Sequence, residues 1–469
     1  MPMKLWRVML GIALSAVVWP GANRHQAKAM GAAPSPKVAA LPQMPAPTGR
    51  DRVLVVAPHC DDETIGCGGY LAMAARAGAA VRVVEVTCGE GFLSAAQRLH
   101  GEKEVTREDY LGLAETRKRE CLAAVRELGV KAEQVFFLGY PDRGLAAMWL
   151  RNWSAKQPYT SSYTGLSSTP SGDSEKRKEV YCGRSVLEDL KRTMEEFRPT
   201  TVLCPYPGDL HGDHWAVYCY TVGALYECGM LDRVTLRAYL VHQGSWPGVE
   251  GPNTPAPLAP PGTLTGPGWT WVSLPLGEGI RKQKEAALRK HVTQMQARGR
   301  YLLSYIRGNE LFGVVDALVL PPRAGRIDDQ TPPLQSGEEA RLVRDAQGDE
   351  LISDALPGAD LLAVRAESDG KRLSLRLELA QESAPDVEYR VDLHALTGRK
   401  VGPPESYRLK AGEQTRTVRC EARGREVAIS LSWPPRAGEG VMLSVSTWLG
   451  KRVVDRTPWV VVWADAEAR

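Results

Sequence analysis

Residues 53–63 read Val53-Leu54-Val55-Val56-Ala57-Pro58-His59-Cys60-Asp61-Asp62-Glu63, and the fold follows from them. An unbroken apolar run of this length predicts a strand buried on both faces, the habit of a parallel sheet covered by helices. Directly after it, one imidazole and three carboxylates fall within five positions. Capping explains part of this: Asp61 suits the start of a following helix, and Glu63 favours its first turn. Capping leaves His59 and a further carboxylate without a purpose. An acidic cluster against a buried strand is costly unless something offsets its charge, and a divalent cation does so.

The same alternation continues outward from this stretch. A helix-like segment runs through Arg76, then Val81 to Val86 reads as a second buried strand. Arg117 to Leu128 has a helical period and stops at Gly129, a suitable C-cap. Val135 to Leu138 reads as a strand, Val186 to Phe197 as a helix, and Thr201 to Cys204 as a strand. Strand and helix in this order predict an α/β fold with a Rossmann-like, doubly wound, mainly parallel sheet. Helical sequence resumes over Gly279 to Gln296 and ends around Phe312. Residues 143–184 interrupt the pattern with a long polar insertion holding Trp149, Trp153, Tyr159 and Tyr163. An insertion of that length reads as a lid or as a disordered loop.

Beyond residue 325 the period changes to two. Arg372 to Leu379, Val387 to Leu393, Glu426 to Trp433, Val441 to Leu449 and Pro458 to Trp463 alternate, which predicts a C-terminal all-β sandwich. The expected domains are 51–322 for the α/β part and 340–469 for the sandwich.

A second polar cluster, His211-Gly212-Asp213-His214, follows the strand at Thr201 to Cys204. Open α/β sheets place their functional crevice at the carboxyl ends of the strands. The two clusters therefore offer imidazole and carboxylate ligands from two strand ends of one sheet. Three protein ligands with an open position are what a catalytic zinc requires. No G-x-S-x-G elbow stands at a strand end, which argues against a serine hydrolase. Gly66-Cys67-Gly68-Gly69 lacks the G-x-G-x-x-G spacing of a phosphate loop and reads as close helix packing.

With the PHxDDE motif at 58–63 and the HxDH motif at 211–214, the chain resembles the PIG-L/LmbE-like family of N-acetylglucosaminyl deacetylases. Thr87-Cys88-Gly89-Glu90, Arg117-x-x-Glu120, Pro141-Asp142, Lys284-x-x-Ala-Leu-x-x-His291-x-x-Gln294 and Glu310-Leu-Phe312 add to the likeness. The resemblance implies zinc, or another divalent ion, on His59, Asp62 and His214. It implies Asp61 as general base, His211 as oxyanion stabiliser or helper of the leaving amine, and Asp213 as orienter of a histidine. Arg117 and Asp142 match positions that touch sugar hydroxyls; a helix surface charge and a Pro-Asp turn are the lesser alternative. Glu63 reads as a supporting hydrogen-bond partner. Cys60 stands where the family usually has proline; a thiolate there could bind zinc if it pointed inward, but in an extended segment it faces away from the side His59 serves. The activity implied is hydrolysis of an N-acetyl amide on a glycan or small-molecule substrate. A non-catalytic glycan-binding protein and a zinc amidohydrolase of a non-sugar amide are the rival readings.

The remaining properties bound this reading. The 469 residues are 43% hydrophobic and 24% charged, globular values that call for more than one core. A formal net charge of +4, with no basic stripe, gives no ground for a nucleic-acid partner. Lys4, Arg7 and an apolar run from Val8 to Trp19 read as an export signal over 1–29. The run is about a dozen residues, short of the roughly 20 that span a membrane; an uncleaved membrane anchor is the alternative. Ala and Pro dominate 30–50, as in a semi-extended linker. The chain is thus expected to be exported, to periplasm or outside the cell. Nine cysteines without a CxxC pair fit an oxidising compartment poorly.

Overall fold

The computed structural model describes residues 41–319 and 341–464, except 102–103, 171–177, 249–250, 252–255, 266–268, 316, 345–356, 369–370 and 434–438. The expected export segment and the first part of the Ala/Pro stretch lie outside the described residues. Those described belong to one compact unit, Ser35–Arg469.

Seven strands form the first sheet: β1 (Arg52–Ala57), β2 (Ala80–Thr87), β3 (Val135–Tyr140), β4 (Thr201–Pro205), β5 (Thr235–Tyr239), β6 (Thr270–Pro275) and β7 (Asn309–Val314). Their order is β3-β2-β1-β4-β5-β7-β6. The first five run parallel, while β7 is antiparallel to both β5 and β6. Strand order reverses direction between β1 and β4, so the crevice beyond their carboxyl ends lies at a topological switch point.

Eight helices cover this sheet: α1 (Asp62–Ala77), α2 (Leu93–His100), α3 (Arg107–Glu127), α4 (Leu145–Leu150), α5 (Gly183–Phe197), α6 (Gly212–Glu227), α7 (Glu278–Leu288) and α8 (Val292–Leu303). Alternation along β1 divides the core. Val53 and Val55 pack with residues of α1, α3, α7 and α8, whereas Leu54 and Val56 pack with α4, α5 and α6. The sheet is buried on both faces, as its unbroken apolar strands require.

Helix α1 reaches the sheet closely because of its glycines. A Cβ on Gly66 would stand 2.4 Å from the Tyr239 ring, and one on Gly69 would meet Leu276 at 2.6 Å. Into this gap comes a buried ion pair, Lys284 Nζ to Glu310 Oε1 at 2.7 Å. Glu310 also accepts the N–H groups of Gly69 and Tyr70, and Lys284 donates to Ile65 O. Two long-range charges thereby clamp the helix that begins at Asp62.

Two expectations change here. The stretch from Gly279 to Phe312 is not one helical segment: it breaks between α7 and α8 at Arg289–His291 and ends in β7. The 143–184 insertion is not simply a lid. Its Trp149 sits fully buried in α4, while Tyr159 and Tyr163 stand near the crevice carboxylates Asp142 and Asp213.

The remaining strands are β8 (Leu318–Val319), β9 (Arg341–Arg344), β10 (Leu361–Ser368), β11 (Arg372–Leu379), β12 (Val387–Thr397), β13 (Lys400–Leu409), β14 (Val418–Arg423), β15 (Glu426–Ser432), β16 (Gly440–Leu449), β17 (Arg452–Arg456) and β18 (Val460–Trp463). They make two sheets, β14-β15-β11-β10-β9 and β13-β12-β16-β18-β8, with β17 beside β16. Pairing is antiparallel except between β18 and β8. Leu373, Leu375, Leu377 and Leu379 face Tyr389, Val391, Val445 and Val462 in a core between the sheets, following the period of two.

The other face of the second sheet is not left to solvent. Leu396, Val401, Met442, Trp459, Val461 and Trp463 share a core with α4, α5 and α6. Trp459 stacks on Trp215 at 5.7 Å and meets Trp149 edge-on at 5.9 Å. His394 lies 4.0 Å from the Trp149 ring, its nitrogens 2.8 Å from Gly402 O and 3.1 Å from Trp149 O. At the opposite edge Ser273 of β6 pairs with Gln43, and Met44 is buried there, so residues 42–44 cover an exposed strand. All nine cysteines are free. Among the described residues no helix is long and apolar enough to cross a membrane.

If the two cores are one unit, Trp459→Ala opens a cavity shared by both. The expected cost is about 3–5 kcal/mol, read by urea denaturation as a single shifted transition. A loss below about 1 kcal/mol, the range of surface changes, contradicts the shared core.

Candidate metal centre and active site

Beyond Ala57 the chain turns once before α1, and that turn carries His59 to Asp61. Beyond Pro205 a second turn carries Asp209 and His211, and the first turn of α6 carries Asp213 and His214. The neighbouring strand ends bring these groups together. Asp62 Oδ2 lies 3.0 Å from His59 Nδ1 and 3.1 Å from His214 Nε2. Donors of a tetrahedral zinc with bonds of about 2.0–2.2 Å stand roughly 3.3–3.6 Å apart, so modest adjustment admits an ion. His214 is fully buried, yet neither ring nitrogen has a well-aligned hydrogen bond despite carboxylates at 3.1 Å on both sides. A buried imidazole in that state fits a cation ligand better than a packing residue.

Each histidine is backed by carboxylates. Asp209 Oδ2 stands 3.1 Å from His214 Nδ1. Asp142 Oδ1 and Asp213 Oδ2 stand 3.2 and 3.3 Å from His59 Nε2. This is the carboxylate–histidine–metal pattern that fixes ring orientation and raises ligand basicity. The backing groups are themselves anchored. Asp209 accepts the N–H of His211, Val241 and His242. Asp213 accepts those of Arg143 and Leu145, and Asp142 accepts that of Gly91.

Asp61 stands apart from this trio. Its backbone takes φ 154° and ψ −23°, a conformation seldom seen outside glycine. Glu63 Oε2 accepts its N–H at 2.9 Å, and Glu63 in turn faces His291 at 3.3 Å. Arg117 donates from Nη2 to Asp61 Oδ1 at 3.1 Å and to Cys60 O at 2.7 Å, and from Nη1 to Gly89 O at 2.7 Å. Burial pushes the Asp61 carboxyl up to about 6, against the pull of Arg117.

The charges around the trio are strongly coupled. Burial opposes the charge on Asp62, yet His214 and His59 hold its carboxyl well below the usual carboxylate range. Burial also works against protonated His214, but Asp209 and Asp62 raise it to about 10. His211 moves the other way, down to about 4, through burial and the nearby His59. Its Nδ1 accepts the Asp213 N–H at 3.3 Å and so caps α6. A neutral imidazole thus stands beside the trio, 4.8 Å from the His59 ring.

Arg117 and Asp142, expected at the sugar, are both buried with partners inside the protein. Asp213, expected beside a histidine, stands with Oδ2 3.3 Å from His59 Nε2. Cys60 is buried in the core beneath α1, among Cys88 and Cys121. Two site residues escaped the sequence reading. Asp209 sits in the Pro207-Gly208-Asp209 turn, where its bland reading is turn chemistry. His242 follows β5, and its donor atom lies within 4.8 Å of those of Asp62 and His214. From the insertion, Tyr163 packs edge-on against Tyr110 at 5.2 Å and closes over Gly91, where a Cβ would meet it at 2.7 Å.

Comparison with known proteins places these motifs. Two relatives are both named 1D-myo-inositol 2-acetamido-2-deoxy-alpha-D-glucopyranoside deacetylase. The protein from Kineococcus radiotolerans is 28% identical over 278 residues, covering 52% of this chain and 69% of the relative. The protein from Corynebacterium kroppenstedtii is 31% identical over 176 residues, covering 37% and 40% respectively. Among solved structures, the N,N'-diacetylchitobiose deacetylase of Pyrococcus horikoshii overlaps 55% of this chain and 82% of its own, at 20% identity and a TM-score of 0.33. Residues 54–225 match the profile of the PIG-L family, described as GlcNAc-PI de-N-acetylase. Both ligand-bearing motifs fall inside that span, and residues 54–225 of this chain are a PIG-L family domain.

Proposed function

We infer that this chain is a zinc-dependent N-deacetylase that hydrolyses the N-acetyl amide of an N-acetylglucosamine-containing glycan or glycoconjugate and releases acetate. One observation carries the reading. Asp62 joins His59 and His214 as a ligand set, while a second carboxylate, Asp61, is held clear of that set by Arg117. Binding alone needs no such separate base. The amino sugar in the names of both relatives supports the substrate class.

A zinc ion on His59, Asp62 and His214 supplies Lewis-acid polarisation of the amide carbonyl and eases the ionisation of water near neutral pH. The chain's own residues do the rest. Asp61, with its carboxyl near 6, is ionised at neutral pH and takes a proton from the attacking water. Arg117 fixes the orientation of that carboxylate. Neutral His211 faces the developing oxyanion, and preorganised donors at such a position are worth several kcal/mol. The proton gained by Asp61 passes to the amine nitrogen as the C–N bond breaks, leaving acetate and a free amine. Asp142 and Asp213 keep the His59 ring from turning, and Asp209 does so for His214. Substrate enters the crevice of the Rossmann-like sheet between β1 and β4, beside Tyr159 and Tyr163, whose rings suit a sugar face. Residues 1–29 export the chain, or anchor it, so the substrate lies in the periplasm or outside the cell.

Two outcomes are expected. Asp61→Asn lowers kcat for acetate release from N-acetylglucosamine conjugates by about 10²–10⁴-fold with zinc content unchanged; activity within tenfold of wild type removes Asp61 as the base. Asp209→Ala lowers zinc affinity about 10–100-fold, measured by chelator competition. Unchanged affinity there rules out a backing role for Asp209.

A further inference from the structure

The geometry points to His242 as a fourth protein donor of the metal centre, contributed by the third strand end of the sheet. This rests on the metal-centre reading above and adds a residue that neither motif contains. Strand β5 pairs with β4 in parallel, Pro205 opposite Tyr239, so the chain leaving β5 enters the same crevice as the chain leaving β4. His242 is the third residue beyond that strand. Its donor atom, with those of Asp62 and His214, forms a set whose members all lie within 4.8 Å of one another. Its ring centroid is 4.7 Å from that of His214 and 5.3 Å from that of His211.

The placement is rigid, as a ligand's must be. The His242 N–H donates to Asp209 Oδ2 at 3.0 Å, the same oxygen that stands 3.1 Å from His214 Nδ1. One carboxylate oxygen therefore touches the His214 ring and holds the backbone that carries His242. His242 O accepts the Leu210 N–H at 2.9 Å, tying the loop after β5 to the loop after β4. On the far side Val241 O accepts both Tyr301 and Tyr305 hydroxyls, at 2.6 and 2.5 Å. The Tyr301 ring lies parallel to His242, 6.3 Å away. Asp62 and His214 are buried, whereas His242 is partly exposed, so it forms the solvent side of the centre. Zinc accepts up to five donors, so a fourth protein ligand still leaves a position exchangeable.

The test is metal binding by the full chain, read without substrate. Zinc affinity is measured by chelator competition for wild type, His242→Ala and His242→Gln, and the visible absorption of the Co²⁺-loaded proteins is recorded. Both variants are expected to bind zinc about 10–100-fold more weakly, with Co²⁺ bands altered in position and intensity. His242→Gln, similar in size and polarity, keeps the test open should the Ala variant not fold. Affinity within about threefold of wild type and an unchanged Co²⁺ spectrum overturn the assignment, even if KM for substrate changes. Failure of the underlying reading looks different: the wild type itself then binds neither ion.

Discussion

The Asp62 carboxylate between His59 and His214 is the contact on which the rest of the site depends. It joins the end of β1 to the end of β4 across a switch in strand order, and it holds two imidazoles within about 3 Å of one oxygen. So concentrated a group of charges survives burial only because each member has an opposite neighbour. Asp142 and Asp213 stand behind His59, and Asp209 stands behind His214. Those backing carboxylates in turn consume backbone N–H groups from loops after β2, β3, β4 and β5. The loops are ordered by the same charges that a cation would use.

That arrangement also explains why the C-terminal domain is fused rather than tethered. Helix α6 carries Asp213 and His214 at its start and Trp215 immediately after. Trp215 stacks on Trp459 of the β-domain, with Arg456 5.0 Å over the same ring. The Trp149, His394 and Trp459 cluster continues the contact to α4, whose Leu145 N–H binds Asp213. The α4–α6 face of the sheet is therefore completed by residues more than two hundred positions away. A protein with only the first domain would need another cover for that face.

Much of this was legible from the chain. The run Val53 to Ala57 can be little but a doubly buried strand, and the polar residues after it have to occupy the crevice. The β-domain strands declared themselves by strict alternation, as in Leu373, Leu375, Leu377 and Leu379. What failed did so for identifiable reasons. Strand β5, Thr-Leu-Arg-Ala-Tyr, is short and carries Arg237 in its middle, so neither period stands out. With β5 unread, His242 had no strand end to belong to. Asp209 went unread because it lies in a Pro-Gly turn outside both motifs, and its partner His214 meets it only once α6 has formed. Trp149 looked like part of a lid because its partners, His394 and Trp459, are reachable only through the fold. The bridge that the Arg117 guanidinium makes between two loops and Asp61 joins residues 28 to 57 positions apart, which no spacing in the chain displays.

The proposed chemistry requires zinc on nitrogen and oxygen donors from His59, Asp62 and His214, with the nearby thiols of Cys60, Cys88 and Cys121 turned away from it. X-ray absorption at the zinc edge tests this most directly on the stoichiometrically loaded protein. A shell of nitrogen and oxygen alone at about 2.0–2.2 Å is expected, with the outer-shell signature of at least two imidazoles. A sulfur shell at about 2.3 Å, or the absence of imidazole scattering, would contradict it.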